Sequence, residues 1–249
     1  MARLGPSLPL LALGALLGAA LVLPPLSSGP AQAAADRPNF VVVMTDDQTY
    51  ADMAAMPETR RLIGEQGATF TRAHVSYPLC CPSRATFLTG LYAHNHGVRT
   101  NSPPEGGVEA LDAQHTLPVW LRGAGYDTSH VGKYLNGYGL RRQARTPPGW
   151  SDWHGAVDKS TYQMHGYTLS ENGTERTYGD FSAPEPATYQ TDVLRDKALE
   201  VIAAHGDEGP DRDPFFLSLA FVAPHGEVSA PGGTTTPYLR PAARHAGRR

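Results

Sequence analysis

Two cysteines stand side by side at the head of the stretch Cys80-Cys81-Pro82-Ser83-Arg84-Ala85-Thr86-Phe87-Leu88-Thr89-Gly90. A proline two residues after the first cysteine suits the first turn of a helix, where its missing N–H costs nothing. Cys80 is then predicted at the helix mouth, in the field of unpaired N–H groups that stabilise an anion. Arg84 lies about one turn further in and is predicted to reach back to Cys80. The result is an electropositive seat around one sulfur atom. A lone cysteine is more often a buried small hydrophobe, so this seat gains meaning only from partners elsewhere in the chain.

Three other places supply such partners. Asp46-Asp47 follows the run Phe40-Val41-Val42-Val43-Met44. Paired carboxylates at a strand end suit a hard divalent cation bound through oxygen, such as Ca²⁺ or Mg²⁺, though an Asp-Asp pair alone is more often a turn. Lys133 follows the short strand-like stretch Tyr126–Val131, and His225 follows the apolar stretch Phe215–Val222. Each is unremarkable by itself. If the three runs are parallel strands, their polar tips converge on one sheet edge, which is where open α/β sheets bind ligands.

The elements that must position these groups alternate. Asn39–Met44 reads as a buried parallel strand, Pro57–Gly67 as a helix and Ala68–Val75 as a strand leading to the cysteine loop. Thr116–Leu121 opens a helix that stops at Gly123 or Gly125, and Tyr126–Val131 is a short strand. From Gly137 to Pro186 the chain is a long excursion rich in Gly, Pro, Tyr and Trp. It holds one hairpin, Tyr167–Ser170, turning through Glu171-Asn172-Gly173-Thr174. Thr188–His205 is an amphipathic helix with Val193, Leu194, Ala198, Leu199, Ile202 and Ala203 on one side, and Phe215–Val222 is a final buried strand. This order predicts an α/β fold with a largely parallel central sheet flanked by helices.

The totals exclude several classes. The formal charge is −3 over 249 residues, which is no electrostatic footprint for a nucleic-acid partner. Two adjacent cysteines make neither a disulfide framework nor a metal knuckle. Arg3, the apolar run from Leu8 to Leu23 and the small-x-small site Ala31-Gln32-Ala33 read as a secretory signal peptide over residues 1–33. The mature chain then starts near Ala34, is secreted, and has no stable membrane insertion. The basic end, Arg244 to Arg249, reads as loop.

The string Cys80-x-Pro-Ser-Arg84 followed by Leu88-Thr89-Gly90 resembles the signature of the sulfatases. Pro38 through Asp47, His94-Asn95-His96-Gly97-Val98, Gly132-Lys133 and Ala223-Pro224-His225 also look like the N-terminal sulfatase domain, whose fold is alkaline-phosphatase-like. Gly132-Lys133-Tyr134-Leu135-Asn136 and Pro147-Pro148-Gly149-Trp150 resemble the N-acetylglucosamine-6-sulfatase branch, which acts on sulfated glycosaminoglycan sugars.

The resemblance implies that a formylglycine-generating enzyme converts Cys80 to formylglycine. Asp46, Asp47 and residue 80 would ligate Ca²⁺, with Mg²⁺ the alternative. A hydroxyl of the hydrated aldehyde would attack sulfur, while Arg84 and Lys133 offset charge on the sulfuryl oxygens and His225 binds sulfate or protonates the leaving alcohol. The substrate would be a sulfated sugar or an aryl sulfate ester. A phosphate or phosphonate monoester hydrolase on the same fold is the alternative, since both anions are tetrahedral. The chain departs from the family at Leu135, where many sulfatases have histidine, with Asn136 next along. It also has no Asp, Asn or Lys after His225, where the family completes its metal shell. Residues 34–249 are therefore expected to be an incomplete sulfatase N-terminal domain, truncated at the C-terminus with an open sheet edge. A catalytically inactive remnant is the second alternative.

Overall fold

The computed structural model describes residues 37–206, 213–228 and 238–247. The signal-peptide reading over residues 1–33 lies outside them. Among the described residues no helix is long and apolar enough to cross a membrane.

Six strands form one sheet in the order β1-β6-β2-β3-β4-β5. They are β1 Phe40–Met44, β2 Asp127–Gly132, β3 Asp152–Ala156, β4 Tyr167–Glu171, β5 Thr174–Tyr178 and β6 Phe215–Ala220. The first four in that order are parallel neighbours, whereas β3 to β4 and β4 to β5 are antiparallel. Of the helices α1 Pro57–Thr59, α2 Cys80–Thr89, α3 Ala93–His96, α4 Leu117–Gly123 and α5 Gln190–Ala204, α2 and α4 pack on one face of the sheet and α5 on the other. The expected α/β architecture is present, with an antiparallel hairpin extending its parallel part.

β6 is buried along its whole length, because it lies between two strands and two helical layers. On one face α5 presents Leu194, Ala198 and Val201 to Val131, Leu217 and Leu219. This stripe is rotated from the predicted one, which included Leu199 and Ile202; these are exposed. The sheet takes up the i, i+4, i+7 set starting at Leu194. The opposite face packs Ala85 and Leu88 of α2 with Phe216, Trp150 and Trp153. His130 is sealed into that face, stacked on Trp153 with ring centroids 4.6 Å apart and bonded to the Ser218 hydroxyl at 3.3 Å.

Three sequence readings are corrected. β1 is an exposed edge among the described residues, with Val43 54% exposed, because only β6 pairs with it. Ala68–Val75 is irregular chain with one turn instead of a strand; Phe70 and Val75 find no buried face, and no ladder partner adjoins them. The helix expected over Pro57–Gly67 is one turn, α1, continued as a π-turn over Arg60–Gly64 with Leu62 and Ile63 exposed. β3 was hidden inside the long excursion, since Asp-Trp-His-Gly-Ala lacks β-branched residues. The predicted hairpin is present as β4 and β5, joined by Asn172 and Gly173 at φ 51° and 90°, the two positive φ values a tight hairpin turn requires.

Register aligns the strand ends. Met44 and Gly132 both pair with Ala220. Backbone bonds continue past the strands, from Lys133 N–H to the Ala220 carbonyl and from Phe221 N–H to the Met44 carbonyl, both at 2.9 Å. Gly132 has φ +107°, and a Cβ there would stand 2.1 Å from the Ala220 carbonyl oxygen. Gly132→Ala should therefore lower stability by about 3 kcal/mol or more, read as a lower urea midpoint. A second measurement concerns His130, whose burial pushes its pKa down to about 3. Between that value and the ordinary one near 6.5 the unfolded chain binds a proton that the folded chain refuses. Stability must then fall as pH drops through this window, by about 1.4 kcal/mol per pH unit from this group. His130→Gln should flatten that limb of the unfolding free energy against pH.

Candidate active site

The sequence folds locally so that Cys80 is the first residue of α2, with Leu79 as its extended N-cap and Gly90 as a left-handed stop. Pro82 sits in the first turn, as its ring requires. Cys80 is partly exposed and its Sγ lies 4.0 Å from Asp46 Oδ1. Asp46, Asp47 and Cys80 each offer a donor atom within 4.8 Å of the other two. Asp47 has φ +56°, a left-handed conformation that aspartate tolerates better than most residues. The turn leaves Asp47 exposed beside His225, with Asp47 Oδ2 3.5 Å from His225 Nε2.

Behind this cluster lies a buried charge network. The Lys133 ammonium donates to Asp46 Oδ2 with both side chains almost fully buried. Arg84 corrects its predicted direction: its guanidinium donates to the Lys133 carbonyl at 2.7 Å and stands 3.6 Å from Asp46 Oδ1. It braces the strand tips, because a buried guanidinium must satisfy its donors and the nearest acceptors are there. Burial and Arg84 both act against the charge on Lys133, but Asp46, Tyr162 and Cys80 together outweigh them, and the net shift of its pKa is upward. Lys133 is therefore an ammonium at neutral pH.

Tyr162 was missed from sequence. Its ring lies 4.5 Å from Lys133 Nζ and 4.5 Å, centroid to centroid, from the His225 ring. Its hydroxyl accepts from Asn136 Nδ2 at 2.7 Å. Nothing in Thr161-Tyr162-Gln163 marks it; only the folding back of the excursion puts it between two strand tips. Asn136 also receives the Cys81 thiol at Oδ1, 3.3 Å, and donates its N–H to that sulfur at 3.1 Å. Burial pushes the Cys81 thiol up to about 11, so the second cysteine stays protonated and inert. His96 braces α3 against α2 through Thr86 Oγ1 at 3.1 Å. His225 Nδ1 pairs with the Gly226 carbonyl at 2.7 Å, which makes Nδ1 the protonated nitrogen and leaves Nε2 facing Asp47.

The donor chemistry fits a hard cation at two of its three positions. Asp46 and Asp47 offer carboxylate oxygens, and Asp46 can give one oxygen to Lys133 and turn the other toward Cys80. A thiol is too soft for Ca²⁺ or Mg²⁺; an oxygen at residue 80 would complete a matching set. Two carboxylates, one ammonium and one guanidinium sum to zero charge, so a bound dication would leave an excess of positive charge facing the cavity. That cavity, about 460 Å³, is lined by Asp46, Asp47, Tyr77, Cys80 and Arg84 among others.

The α/β sheet with flanking helices is the alkaline-phosphatase-like fold of the sulfatase structures on which it superposes. The sulfatase family model matches residues 38–240, and the chain belongs to the sulfatase family. Human N-acetylglucosamine-6-sulfatase is 39% identical over 236 residues, covering 90% of this chain and 39% of that protein. The extracellular sulfatase SULF-1 homolog of Drosophila melanogaster is 36% identical over 202 residues, covering 78% of this chain and 17% of that one. Among solved structures, one determined in complex with its substrate D-glucosamine-2-N,6-O-disulfate superposes with a TM-score of 0.59 at 27% identity, over 76% of this chain and 35% of that one. The chain thus spans well under half the length of these relatives.

The cluster makes a binding prediction independent of turnover. Millimolar CaCl₂ or MgCl₂ should raise the thermal midpoint, since a ligand that binds only the folded state stabilises it. Asp47→Asn, which keeps the backbone conformation accessible, should remove most of that shift in a melting titration.

Proposed function

We propose that this site hydrolyses sulfate esters on amino sugars of glycan chains, with residue 80 as the nucleophile position. The observation that carries the proposal is the placement of Cys80 at the mouth of α2, against Asp46 and Asp47, with Lys133 and Arg84 buried behind. The names of the human relative and of the sugar in the solved complex support the amino-sugar assignment. The Drosophila relative's name supports secretion, in line with a signal peptide over residues 1–33.

Formylglycine made from Cys80 by a formylglycine-generating enzyme would supply an oxygen nucleophile and the third oxygen donor. Asp46, Asp47 and residue 80 would hold Ca²⁺, which lends Lewis acidity toward a sulfuryl oxygen. The chain's own groups do the rest. Lys133, kept charged by Asp46, faces negative charge as it develops. Arg84 fixes the Lys133 carbonyl and so the height of that ammonium. His225, oriented by its Nδ1 bond and the Tyr162 ring, points Nε2 toward the carboxylate cluster, where it can hold a proton for the leaving alcohol.

Peptide mass spectrometry across residues 72–84, paired with aryl sulfate hydrolysis, tests this. The expected result is an aldehyde in place of the thiol, together with turnover. Lys133→Ala should lower kcat by about 10²- to 10³-fold, and Cys80→Ser should accumulate a covalent sulfate ester instead of turning over. Full turnover by Cys80→Ser, or hydrolysis by a chain whose thiol is intact, would refute the reading. Phosphate monoesters hydrolysed faster than sulfate esters would move the assignment to the phosphoryl branch.

A further inference from the structure

The loop that follows the site carries Leu140-Arg141-Arg142-Gln143-Ala144-Arg145, three arginines in five positions of a chain with net negative charge. Arg142 and Arg145 line a groove of about 610 Å³, together with Glu109, Gly137, Gly139 and Thr146. Arg141 stands 4.0 Å from Glu109 and is offset by it. Among the described residues Arg142 and Arg145 have no carboxylate partner, and both are exposed. Two unneutralised guanidiniums in one groove form a recognition surface for carboxylate or sulfate.

The loop is held in place. Ala144, between the two arginines, is fully buried in the core. The Ala144 carbonyl accepts from the Ser170 hydroxyl, and the Arg145 carbonyl accepts from the Tyr138 hydroxyl at 2.9 Å. A Cβ on Gly139 would meet Val157 Cγ1 at 2.7 Å, so the groove floor is tightly packed. The backbone that aims the arginines is thus set before any ligand arrives, which lowers the ordering cost of binding. The groove is linked to the candidate site through Asn136. Gly137 follows Asn136, whose carbonyl accepts from the Val108 N–H at 2.8 Å and whose side chain contacts Cys81 and Tyr162.

We infer that this groove binds a second anionic group, a sulfate or carboxylate, on the same glycan whose sulfate ester lies at residue 80. The inference rests on the function proposed above and narrows its substrate to glycans bearing several negative charges. Small sulfate esters would use the reacting site alone, whereas polyanionic chains would engage both.

Calorimetric titration of the full chain with a sulfated heparin hexasaccharide, and with its desulfated form, tests the groove without requiring turnover. The wild type should bind only the sulfated form, more weakly as NaCl rises. Arg142→Gln/Arg145→Gln should weaken binding by about tenfold or more and flatten the salt dependence. Arg195→Gln, an α5 surface arginine paired with Asp192 and Asp196, should leave it unchanged. In kinetics the double variant should raise KM for the hexasaccharide with kcat kept, and leave aryl sulfate hydrolysis alone. Equal affinity of double variant and wild type, an equal loss in Arg195→Gln, or no binding by the wild type would each overturn the inference. Binding lost in the double variant of a chain that hydrolyses no sulfate ester would uphold the groove and refute the function. Intact hydrolysis with unchanged KM would do the reverse.

Discussion

The structure turns on one buried contact, the ammonium of Lys133 against the carboxylate of Asp46, with Arg84 as the third charge. Removing Asp46 would leave two cations in the interior without their counter-ion, at a cost of several kcal/mol. The three groups come from the tip of β2, the tip of β1 and the second turn of α2. They meet only if Met44, Ala220 and Gly132 are in register and if nothing larger than hydrogen stands on Gly132. The backbone geometry and the electrostatics are therefore a single requirement. A slip of one residue along β2 would send Lys133 to the other face of the sheet and leave the buried Asp46 with Arg84 as its one cation among the described residues.

Much of this was legible because it is local. Short runs bounded by turn residues and ending in polar groups named three of the parallel strands and their tips. The proline at position 82 and the glycine at 90 bounded α2, and Asn172-Gly173 marked the hairpin. What was hidden depends on contacts distant in sequence. β3 lacks β-branched residues and exists because β2 offers it a ladder. The buried stripe of α5 is chosen by where the sheet lies, so Leu199 is exposed despite its type. Arg84 points to the tips of β1 and β2, distant in sequence on either side of it, rather than to its helical neighbour. Tyr162 has no pattern around it at all. Ala68–Val75 shows the opposite failure, a plausible strand with no partner edge.

The two cysteines show how position separates identical side chains. Cys80 is half-exposed at the first turn of α2, beside two carboxylates. Cys81, one residue on, is turned inward, bonded to Asn136 and held as a thiol by burial. One peptide unit of rotation around the helix divides a reactive position from a packing position.

Asn136 belongs to two places at once. Its backbone carbonyl ties down the strap beside the arginine groove, while its side chain sits on Cys81 and Tyr162, and Tyr162 touches both Lys133 and His225. Four residues thus form an unbroken mechanical train from a surface depression to the sheet edge. The depression and the sheet edge are parts of one packed body, and side chains far from residue 80 help to hold its neighbours in place.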